Sequence, residues 1–398
     1  MLPERRLRPR DLGLRLGRLE PGALNAITDV AGVGVGHVTL RRGDGKLIPG
    51  EGPVRTGVTA ILPHGGNLFQ EKVEAAVHIV NGFGKTVGIP QVQELGTLET
   101  PVLLTNTLNV GLAADALISY MCRQNPDIGI NTGTVNAFVG ECNDGYLNDI
   151  QGRHVREEHV LAAIEGARGG PVEEGAVGAG TGMSAFQFKG GIGTSSRQVP
   201  DEFGGFTVGS LVLANFGRRH ELQVAGVPVG LELADWQAGP APIGRTTPPG
   251  APSGLPERDE PPPGEPPSAD PPPGSIIMVV ATDAPLNHRQ LGRLARRAAI
   301  GLARTGSGAA NGSGDFVLAF STTRRTPHRS AGPVRRVEEF VEEDRFAGPL
   351  FWAAIEATEE AVLNAVFMAP TVVGRDGHVS PGLPLDQTVE ILRRYGRL

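Results

Sequence analysis

The sequence predicts a layered α/β or α+β fold, and three observations support this prediction. Short apolar runs are separated by glycines, and several lack a polar position that would face solvent, which is typical of strands buried on both faces. Helical patterns lie among these runs, and sheets with apolar faces require helices to cover them. The runs and helical patterns do not alternate regularly, so a doubly wound sheet is not expected.

Strands are predicted where a short run of apolar residues and glycine stands between polar or turn-forming residues. The segments that fit this description in chain order are 102–105, 176–180, 206–214, 275–281 and 316–321.

Helices are predicted where apolar residues recur at a spacing of three and four. These segments are 68–81, 110–123, 157–168, 284–305 and 353–365. The clearest is 284–305, because Asp283 is a plausible N-cap and Pro285 stands in the first turn. Gly306 is a plausible residue to end this helix.

Glycine and proline are both abundant, with 57 and 33 among 398 residues. No Gly-X-Y period is present and 39% of the residues are hydrophobic, which excludes a collagen-like or a wholly disordered chain. The prolines are clustered, since 14 of the 33 lie in the segment 239–274. This segment cannot bury itself, so we expect an extended surface stretch, and an interdomain linker is its ordinary interpretation.

Charge and cysteine content narrow the function classes. The net charge is −6 and no basic block is present, so nucleic acid is not an expected partner. Two cysteines, Cys122 and Cys142, are too few for a disulfide framework. Residues 1–19 lack the apolar core of a signal peptide, and no apolar stretch is long enough for a membrane span. We therefore expect a cytoplasmic protein without membrane contact.

The Pro-rich segment ends abruptly at Gly274, and Ser275 is the first residue of a predicted core strand. Cleavage of the Gly274–Ser275 bond would leave Ser275 with a hydroxyl nucleophile beside a free α-amine. An α-amine has an ordinary pKa of about 7.7–8.0, which suits a general base near neutral pH. The alternative is an uncleaved serine at the edge of a strand that follows a linker.

Three further sites combine polar residues with the ends of apolar runs. Ser313 and Asp315 are two residues apart, so in an extended chain they point the same way, although a Gly-rich turn also explains them. Asn215 ends an apolar run and is either a turn former or a donor to an oxyanion. Tyr146, one of three tyrosines, either donates to developing charge or caps its polar loop.

Seven segments in chain order carry a family resemblance. They are LNAITDVAGVGVGHVTL (24–40), TGTVNAFVGECNDGYLNDI (132–150), GAVGAGTGMSAFQFKGGIGTSSR (175–197), GSLVLANFGRR (209–219), GSIIMVVATDAPL (274–286), ARRAAIGLARTGS (295–307) and NGSGDFVLAFSTT (311–323). In this order they resemble the DmpA-type aminopeptidases, which are also called L-aminopeptidase/D-esterases and include the β-peptidyl aminopeptidases. The resemblance runs from about Pro21 to the C-terminus, apart from the Pro-rich segment, which is longer than expected for the family.

The resemblance implies a fold and a processing step. The expected fold is a four-layer αββα sandwich of the type shared with ornithine acetyltransferases, in one catalytic domain over residues 1–398. Self-cleavage between Gly274 and Ser275 would give an α-chain of residues 1–274, with 239–274 as its tail, and a β-chain of residues 275–398. Members of the family are typically homotetramers.

The resemblance also implies a reaction. Ser275 would be the nucleophile of an aminopeptidase that releases N-terminal L-, D- or β-amino acids from short peptides, amides or esters through an acyl-enzyme. Ser313 and Asp315 would relay protons, although many relatives have Glu at the second of these positions. Asn215 would stabilise the oxyanion and Tyr146 the tetrahedral intermediate.

No metal or organic cofactor is expected for this reaction. His154 and His159 are five positions apart and therefore point to different sides of a helix, which makes them a poor metal pair. A substrate ammonium requires an acidic partner, and the polar loop 140–149 offers Glu141 and Asp144 as candidates.

Two alternatives stay open at this stage. An acyltransferase of the ornithine acetyltransferase type shares the fold, but it would be expected to have a threonine nucleophile where this chain has Ser275. The second alternative is an uncleaved scaffold protein in which the Pro-rich stretch serves as a binding linker.

Overall fold

Two sheets stacked face to face form the centre of the protein. The structure is a computed structural model that describes residues 6–236 and 274–398. The four-stranded sheet has the order β1-β2-β5-β6, and the six-stranded sheet has the order β4-β3-β12-β11-β10-β9. The strands of the first sheet are β1 (Gly34–Arg42), β2 (Val54–Leu62), β5 (Val102–Asn106) and β6 (Phe138–Cys142). The strands of the second are β3 (Glu71–Gly82), β4 (Thr97–Leu98), β9 (Gly191–Gln198), β10 (Thr207–Asn215), β11 (Ser275–Thr282) and β12 (Gly314–Pro327).

Helices cover the outer face of each sheet, and two short hairpins complete the fold. The helices are α1 (Ile89–Leu95), α2 (Val110–Gln124), α3 (Glu157–Glu165), α4 (Val229–Glu232), α5 (His288–Arg304), α6 (Asp344–Phe367) and α7 (Leu385–Arg394). The hairpins pair β7 (Ser184–Ala185) with β8 (Phe188–Lys189) and β13 (Val372–Val373) with β14 (Val379–Ser380). Within the described ranges, no helix combines the length and hydropathy needed to cross a membrane.

Three apolar cores separate four layers. One core joins α2 and α3 to the four-stranded sheet, a second fills the space between the sheets, and a third joins the six-stranded sheet to α5 and α6. In β11, Met278 and Val280 point to the helices whereas Ile277 and Val279 point to the other sheet. Because successive side chains of a strand alternate, an apolar residue at every position is what this doubly covered strand requires. The predicted four-layer αββα arrangement is confirmed.

Most predicted elements are confirmed, but two are wrong. Segment 68–81 was expected to be helical and is instead occupied largely by strand β3. Val73 and Val77 are four apart, a spacing that a helix and a strand share, and with Ala75 they alternate toward the core between the sheets. Segment 176–180 was expected to be a strand, but Gly178–Gly182 forms a 3-10 turn that begins with Gly178 at φ +50°.

Helix α5 begins later than predicted. Its N-cap is Asn287, whose side chain accepts a hydrogen bond from the Gln290 backbone N–H at 3.0 Å. Asp283 instead accepts a hydrogen bond from the Thr207 backbone N–H at 2.8 Å and so ties β10 to the end of β11. Gly306 follows the C-cap at φ +102°, as expected for a residue that ends a helix. The Pro-rich segment, except Gly274, lies outside the described residues.

Helix α6 packs so closely on β9 that Gly193 leaves no room for a side chain. A Cβ at Gly193 would lie 1.9 Å from the Ala361 carbonyl oxygen and 2.5 Å from the Ala365 backbone nitrogen. We predict that Gly193→Ala lowers the free energy of unfolding by about 1–3 kcal/mol or more, because the helix must shift away from the sheet. Chemical denaturation measures this change.

Gly348→Ala is the matched control. Gly348 lies within α6, and a Cβ there meets nothing within 4 Å, so the substitution is expected to stabilise by about 0.5–1 kcal/mol through helix propensity. Equal stability of Gly193→Ala and the wild type would contradict the close packing of these two layers.

Candidate active site

Three neighbouring strands bring polar residues to one edge of the six-stranded sheet. Asn215, the last residue of β10, lies opposite Ser275, the first residue of antiparallel β11. Ser275 lies beside Gly314, the first residue of parallel β12. The start of two strands and the end of a third therefore coincide, and Ser275 is in the middle.

The Ser275 hydroxyl lies against the carbonyl of the residue before it. Its Oγ donates a hydrogen bond to the Gly274 carbonyl oxygen at 2.6 Å, and the side chain is 6% exposed. The Gly314 backbone N–H donates to the same oxygen at 3.1 Å. Two donors therefore converge on the Gly274 carbonyl oxygen, as they would on an oxygen that gains negative charge.

Ser313 and Asp315 form a buried pair next to Ser275. The Ser313 hydroxyl donates to Asp315 Oδ1 at 2.5 Å, and Asp315 Oδ2 has no hydrogen-bond partner among the described residues. Burial raises the pKa of Asp315, although hydrogen bonds from the Ser313 hydroxyl and the Ile276 backbone oppose this shift. One carboxylate oxygen of Asp315 is therefore hydrogen-bonded, and the other is available to accept a proton or a further hydrogen bond.

Asn81 fixes the turn that carries Ser313. Its side-chain nitrogen donates to the carbonyl oxygens of Ala310, Asn311 and Ser313, the last at 2.5 Å. Asn81 lies on β3 opposite Asp315. Strand β3, which neighbours β12 in the sheet, therefore also helps to position Ser313 and Asp315.

The Asn215 side chain has a fixed orientation. Its Oδ1 accepts a hydrogen bond from the Ser184 backbone N–H at 2.9 Å, and its Nδ2 donates to the Asn143 carbonyl oxygen at 3.0 Å. An amide nitrogen carries two hydrogens, so the second remains for another acceptor. This is the geometry that a donor to an oxyanion needs, because its orientation is set in advance.

Lys189 holds the hairpin that positions Ser184. The side chain is fully buried, and its Nζ donates to the carbonyl oxygens of Gly180, Met183 and Gly190 at 2.9, 2.6 and 2.8 Å. The tip of this hairpin has Phe186 and Gln187 in the left-handed region, at φ +53° and +60°. Such a backbone is strained for residues other than glycine, so the surrounding contacts must hold it in place.

A cleft of about 680 Å³ opens beside Asn215. Tyr146 lines it, is 51% exposed, and stacks on the His378 ring with centroids 4.6 Å apart. The His378 Nδ1 is also within hydrogen-bond distance of the Tyr146 carbonyl oxygen, at 2.8 Å. The lining consists of Asn143, Gly145, Tyr146, Ile150, Ser184, Gln187, Asn215, Phe216, Gly217, Arg375, Val379 and Ser380.

A second pocket, of about 230 Å³, adjoins the first on the side of Gly274. The two pockets share Phe216 and Gly217, and Ser313 lines the smaller one. Gly274, which precedes the candidate nucleophile, also lines the smaller pocket, whereas Asn215, which lies opposite Ser275, lines the larger one.

Neither candidate for binding the substrate ammonium lines the cleft. Glu141 is 2% exposed, and its carboxylate accepts hydrogen bonds from the Lys85 backbone N–H at 2.8 Å and from the Thr107 hydroxyl. Asp144 is fully buried, and burial raises its pKa to about 7. The structure places Glu141 behind the segment 83–85, which lies against Gly314, and Asp144 beneath the cleft loop.

Residues that could hold a metal ion are not grouped in the described ranges, where no three His, Cys, Asp or Glu side chains form such a site. His154 Nε2 lies 2.8 Å from Asp149, and the His159 ring accepts a hydrogen bond from the Arg156 backbone N–H. The two histidines thus have separate local partners.

The structure brings together Ser275, Ser313, Asp315 and Asn215, and it places Tyr146 in the adjoining cleft. The sequence patterns did not indicate the residues that orient this group, which are Asn81, Ser184, Lys189 and His378, nor did they indicate Arg375, which lines the cleft. Most of them act through a contact with a distant part of the chain, whereas Lys189 donates to carbonyl oxygens within nine positions, and a lysine in a Gly-rich stretch carries no pattern that marks this role.

Comparisons with known proteins identify the family of this chain. The model of peptidase family S58 matches residues 25–380. A β-peptidyl aminopeptidase, BapA of Sphingosinicella microcystinivorans, is 44% identical over 98% of this chain and 93% of its own length. The crystal structure of the PH0078 protein from Pyrococcus horikoshii OT3 superposes with a TM-score of 0.87 at 52% identity, covering 98% of this chain and all of that one.

A third relative is the L-aminopeptidase D-Ala-esterase/amidase from Ochrobactrum anthropi. It is described as a prototype of the serine aminopeptidases with a variant of the Ntn hydrolase fold. Its structure superposes with a TM-score of 0.82 at 39% identity.

 The alignment with the Ochrobactrum anthropi enzyme covers 98% of this chain and 99% of that one. From the family match and these relatives, we conclude that the chain is an aminopeptidase and belongs to peptidase family S58.

Proposed function

We propose that this aminopeptidase activates itself by cleaving the Gly274–Ser275 bond and then uses Ser275 as an N-terminal nucleophile. The observation that supports this most directly is the pair of donors on the Gly274 carbonyl oxygen. The Ser275 Oγ lies 2.6 Å from that oxygen, and the Gly314 backbone N–H donates a hydrogen bond to it as well.

In the proposed cleavage, Ser275 Oγ attacks the carbonyl carbon of Gly274. The new C–O bond replaces the C–N bond, and the proton of the hydroxyl passes to the departing nitrogen. The Gly314 N–H stabilises the oxygen while it carries negative charge. Water then hydrolyses the ester, which gives a carboxylate at Gly274 and a free α-amine with a restored hydroxyl at Ser275.

In the proposed turnover, the α-amine of Ser275 accepts the proton of its own hydroxyl as Oγ attacks the substrate carbonyl. The second hydrogen of the Asn215 amide donates to the oxyanion, and Tyr146 contributes its hydroxyl from the cleft side. The protonated amine gives its proton to the leaving nitrogen. Water hydrolyses the acyl-enzyme by the same route in reverse.

Ser313 and Asp315 complete the proposed proton relay. The Ser313 hydroxyl donates to the Asp315 carboxylate at 2.5 Å, so its oxygen keeps its lone pairs for another donor, and Gly314 between these two residues pairs with Ser275. An acceptor at this place would hold the α-amine of Ser275 in position after cleavage. The shorter Asp side chain is compatible with this role because it already reaches Ser313.

The proposed substrates are short peptides, amides or esters with a free N-terminal L-, D- or β-amino acid. The β-peptidyl aminopeptidase activity named for the relative supports the inclusion of β-amino acids. Neither acidic candidate for the substrate ammonium lines either pocket, but Glu141 is the better placed of the two. Its carboxylate holds the segment next to Gly314, whereas no hydrogen bond among the described residues joins Asp144 to the ends of β10, β11 and β12.

Replacement of the nucleophile tests the cleavage step. Ser275→Ala is predicted to leave one chain of about 41.7 kDa, because no hydroxyl remains to attack Gly274. Mass spectrometry of the purified wild type is expected to show two chains, the second beginning at Ser275. The exposed Ser330→Ala is the control and should be cleaved like the wild type. Two chains from Ser275→Ala would contradict the mechanism.

The burial of Asp315 predicts opposite effects on activity and stability. A folded-state pKa raised above the unfolded value means that ionisation costs stability, and this cost is fully present above the folded pKa and disappears as the pH falls through it. Asp315→Asn removes the charge, so at pH 8 its melting temperature should equal or exceed that of the wild type. The difference should shrink toward pH 4.

The activity of the same variant is expected to fall by about 100-fold or more, because a neutral amide cannot take part in the proton relay. Asp315→Glu keeps the carboxylate and should retain more activity than Asp315→Asn. Full activity of Asp315→Asn between pH 6 and pH 8 would exclude the relay role.

Lys189 is predicted to act through Ser184 and Asn215. Lys189→Met removes the donor to three carbonyl groups, which frees the hairpin and misplaces the Asn215 amide. We expect kcat on an amino acid amide to fall by about 10- to 100-fold while KM changes less, since the misplaced donor serves the transition state.

Arg197→Lys is the control for a general loss of stability. Arg197 is fully buried and pairs with Glu360 at 2.6 Å, within the core beneath α6. This variant should lower the melting temperature and keep kcat near the wild-type value. Equal losses of kcat in both variants would assign Lys189 a purely structural role.

A further inference from the structure

Among the described residues that line the larger cleft, Arg375 is the only one with a charged side chain. The other lining residues are polar and uncharged, aromatic, aliphatic or glycine. A cleft without a carboxylate offers no partner for an ammonium group. Its single guanidinium instead favours a part of the substrate that carries negative charge.

Two nitrogens of the Arg375 guanidinium have partners within the protein, and the third is available to a ligand. Its Nε donates to the Gly145 carbonyl oxygen at 2.6 Å, and one terminal nitrogen, Nη1, lies 3.1 Å from the Asp376 carboxylate. Within the described ranges, the other terminal nitrogen makes no hydrogen bond. The side chain is 27% exposed, so it is accessible to a ligand in the cleft.

The tether places this guanidinium on the loop that contacts the candidate oxyanion donor. Gly145 stands between Asn143, whose carbonyl accepts from Asn215, and Tyr146, which lines the cleft. Asn215 in turn lies opposite Ser275 on the neighbouring strand. A substrate bound at Ser275 would therefore extend past Asn215 into the space that Arg375 borders.

We propose that Arg375 binds the C-terminal carboxylate of the residue that leaves when a short peptide is cleaved. This inference rests on the proposed function and adds a substrate class to it, namely dipeptides with a free carboxyl end. A carboxylate accepts a charge-assisted hydrogen bond from a guanidinium, and the open terminal nitrogen of Arg375 provides the donor. The smaller pocket beside Gly274 is left for the N-terminal residue.

A pair of matched substrates tests this assignment. One is a dipeptide with a free C-terminal carboxylate, and the other is the same dipeptide as its C-terminal amide. The wild type is expected to have the higher kcat/KM on the free acid. Arg375→Gln should lower kcat/KM on the free acid by roughly 10- to 100-fold, as for loss of one charge-assisted hydrogen bond, and change it on the amide by less than about threefold.

A parallel loss on both substrates would overturn the proposal, because it would show that Arg375 acts only by holding Gly145. An unchanged ratio of the two kcat/KM values would overturn it as well. A wild type that hydrolyses neither substrate would refute the proposed function itself, so the two failures are distinguishable. A dipeptide amide with an acidic leaving residue separates a side-chain carboxylate from a C-terminal one, and a stronger effect of Arg375→Gln on that substrate would overturn the assignment.

Two further variants sharpen the test. Asp376→Asn removes the carboxylate that competes for the guanidinium, and it should raise the preference for the free acid by about two- to fivefold; a lower preference would count against the proposal. Asparagine still accepts the Leu47 backbone N–H and tolerates the left-handed backbone at φ +57°. Arg345→Gln, at an arginine that is 67% exposed on α6, should leave the ratio unchanged.

Arg375→Lys provides a second route if Arg375→Gln does not fold. It keeps the positive charge and loses the planar fork, so an intermediate preference for the free acid is expected. A lysine variant with no preference would contradict a charge-based contact.

Discussion

The register of three buried strands is the constraint on which the candidate site depends. Asn215, Ser275 and Gly314 lie side by side because β10, β11 and β12 pair without a slip at this edge. A one-residue slip of β11 would place Ser275 opposite Ala214 and exchange every side chain of the strand between two cores of different shape. The packing of Met278 against the helices and Ile277 against the other sheet therefore also fixes the position of the candidate nucleophile.

Polar groups at this sheet edge are buried, and their arrangement is stabilised from outside the three strands. Asn81, Ser184 and Lys189 each fix one part of it, and Lys189 does so across the strained hairpin of β7 and β8. Burial without full pairing is costly, as the raised pKa of Asp315 indicates. The two large apolar cores on either face of the sheet offset this cost. The fold can therefore tolerate a buried carboxylate oxygen of Asp315 that has no hydrogen-bond partner among the described residues.

Sequence patterns predicted most of the elements and the polar residues at strand ends, because those signals are local. Ser275 and Asn215 each adjoin an apolar run, and a polar residue at such a boundary is visible in the chain. Arg375 gave no such signal, since its partner Gly145 is 230 positions away. Asp144 was misleading for the opposite reason: its polar loop looks exposed, but the loop folds inward and buries it completely. Strand β3 was missed because a four-residue spacing fits both periodicities.

The distribution of charge around Ser275 gives the proposed exopeptidase a physical basis. The carboxylates of Glu141 and Asp315 lie behind the strand ends, whereas the guanidinium of Arg375 borders the open cleft. A zwitterionic dipeptide has its ammonium and carboxylate on opposite sides of the scissile bond, so it can match both signs in only one direction. A longer chain would place an uncharged peptide group beside Arg375 and leave the guanidinium with a weaker partner. Selection for short substrates then follows from electrostatic complementarity at two places, without a wall that closes the cleft.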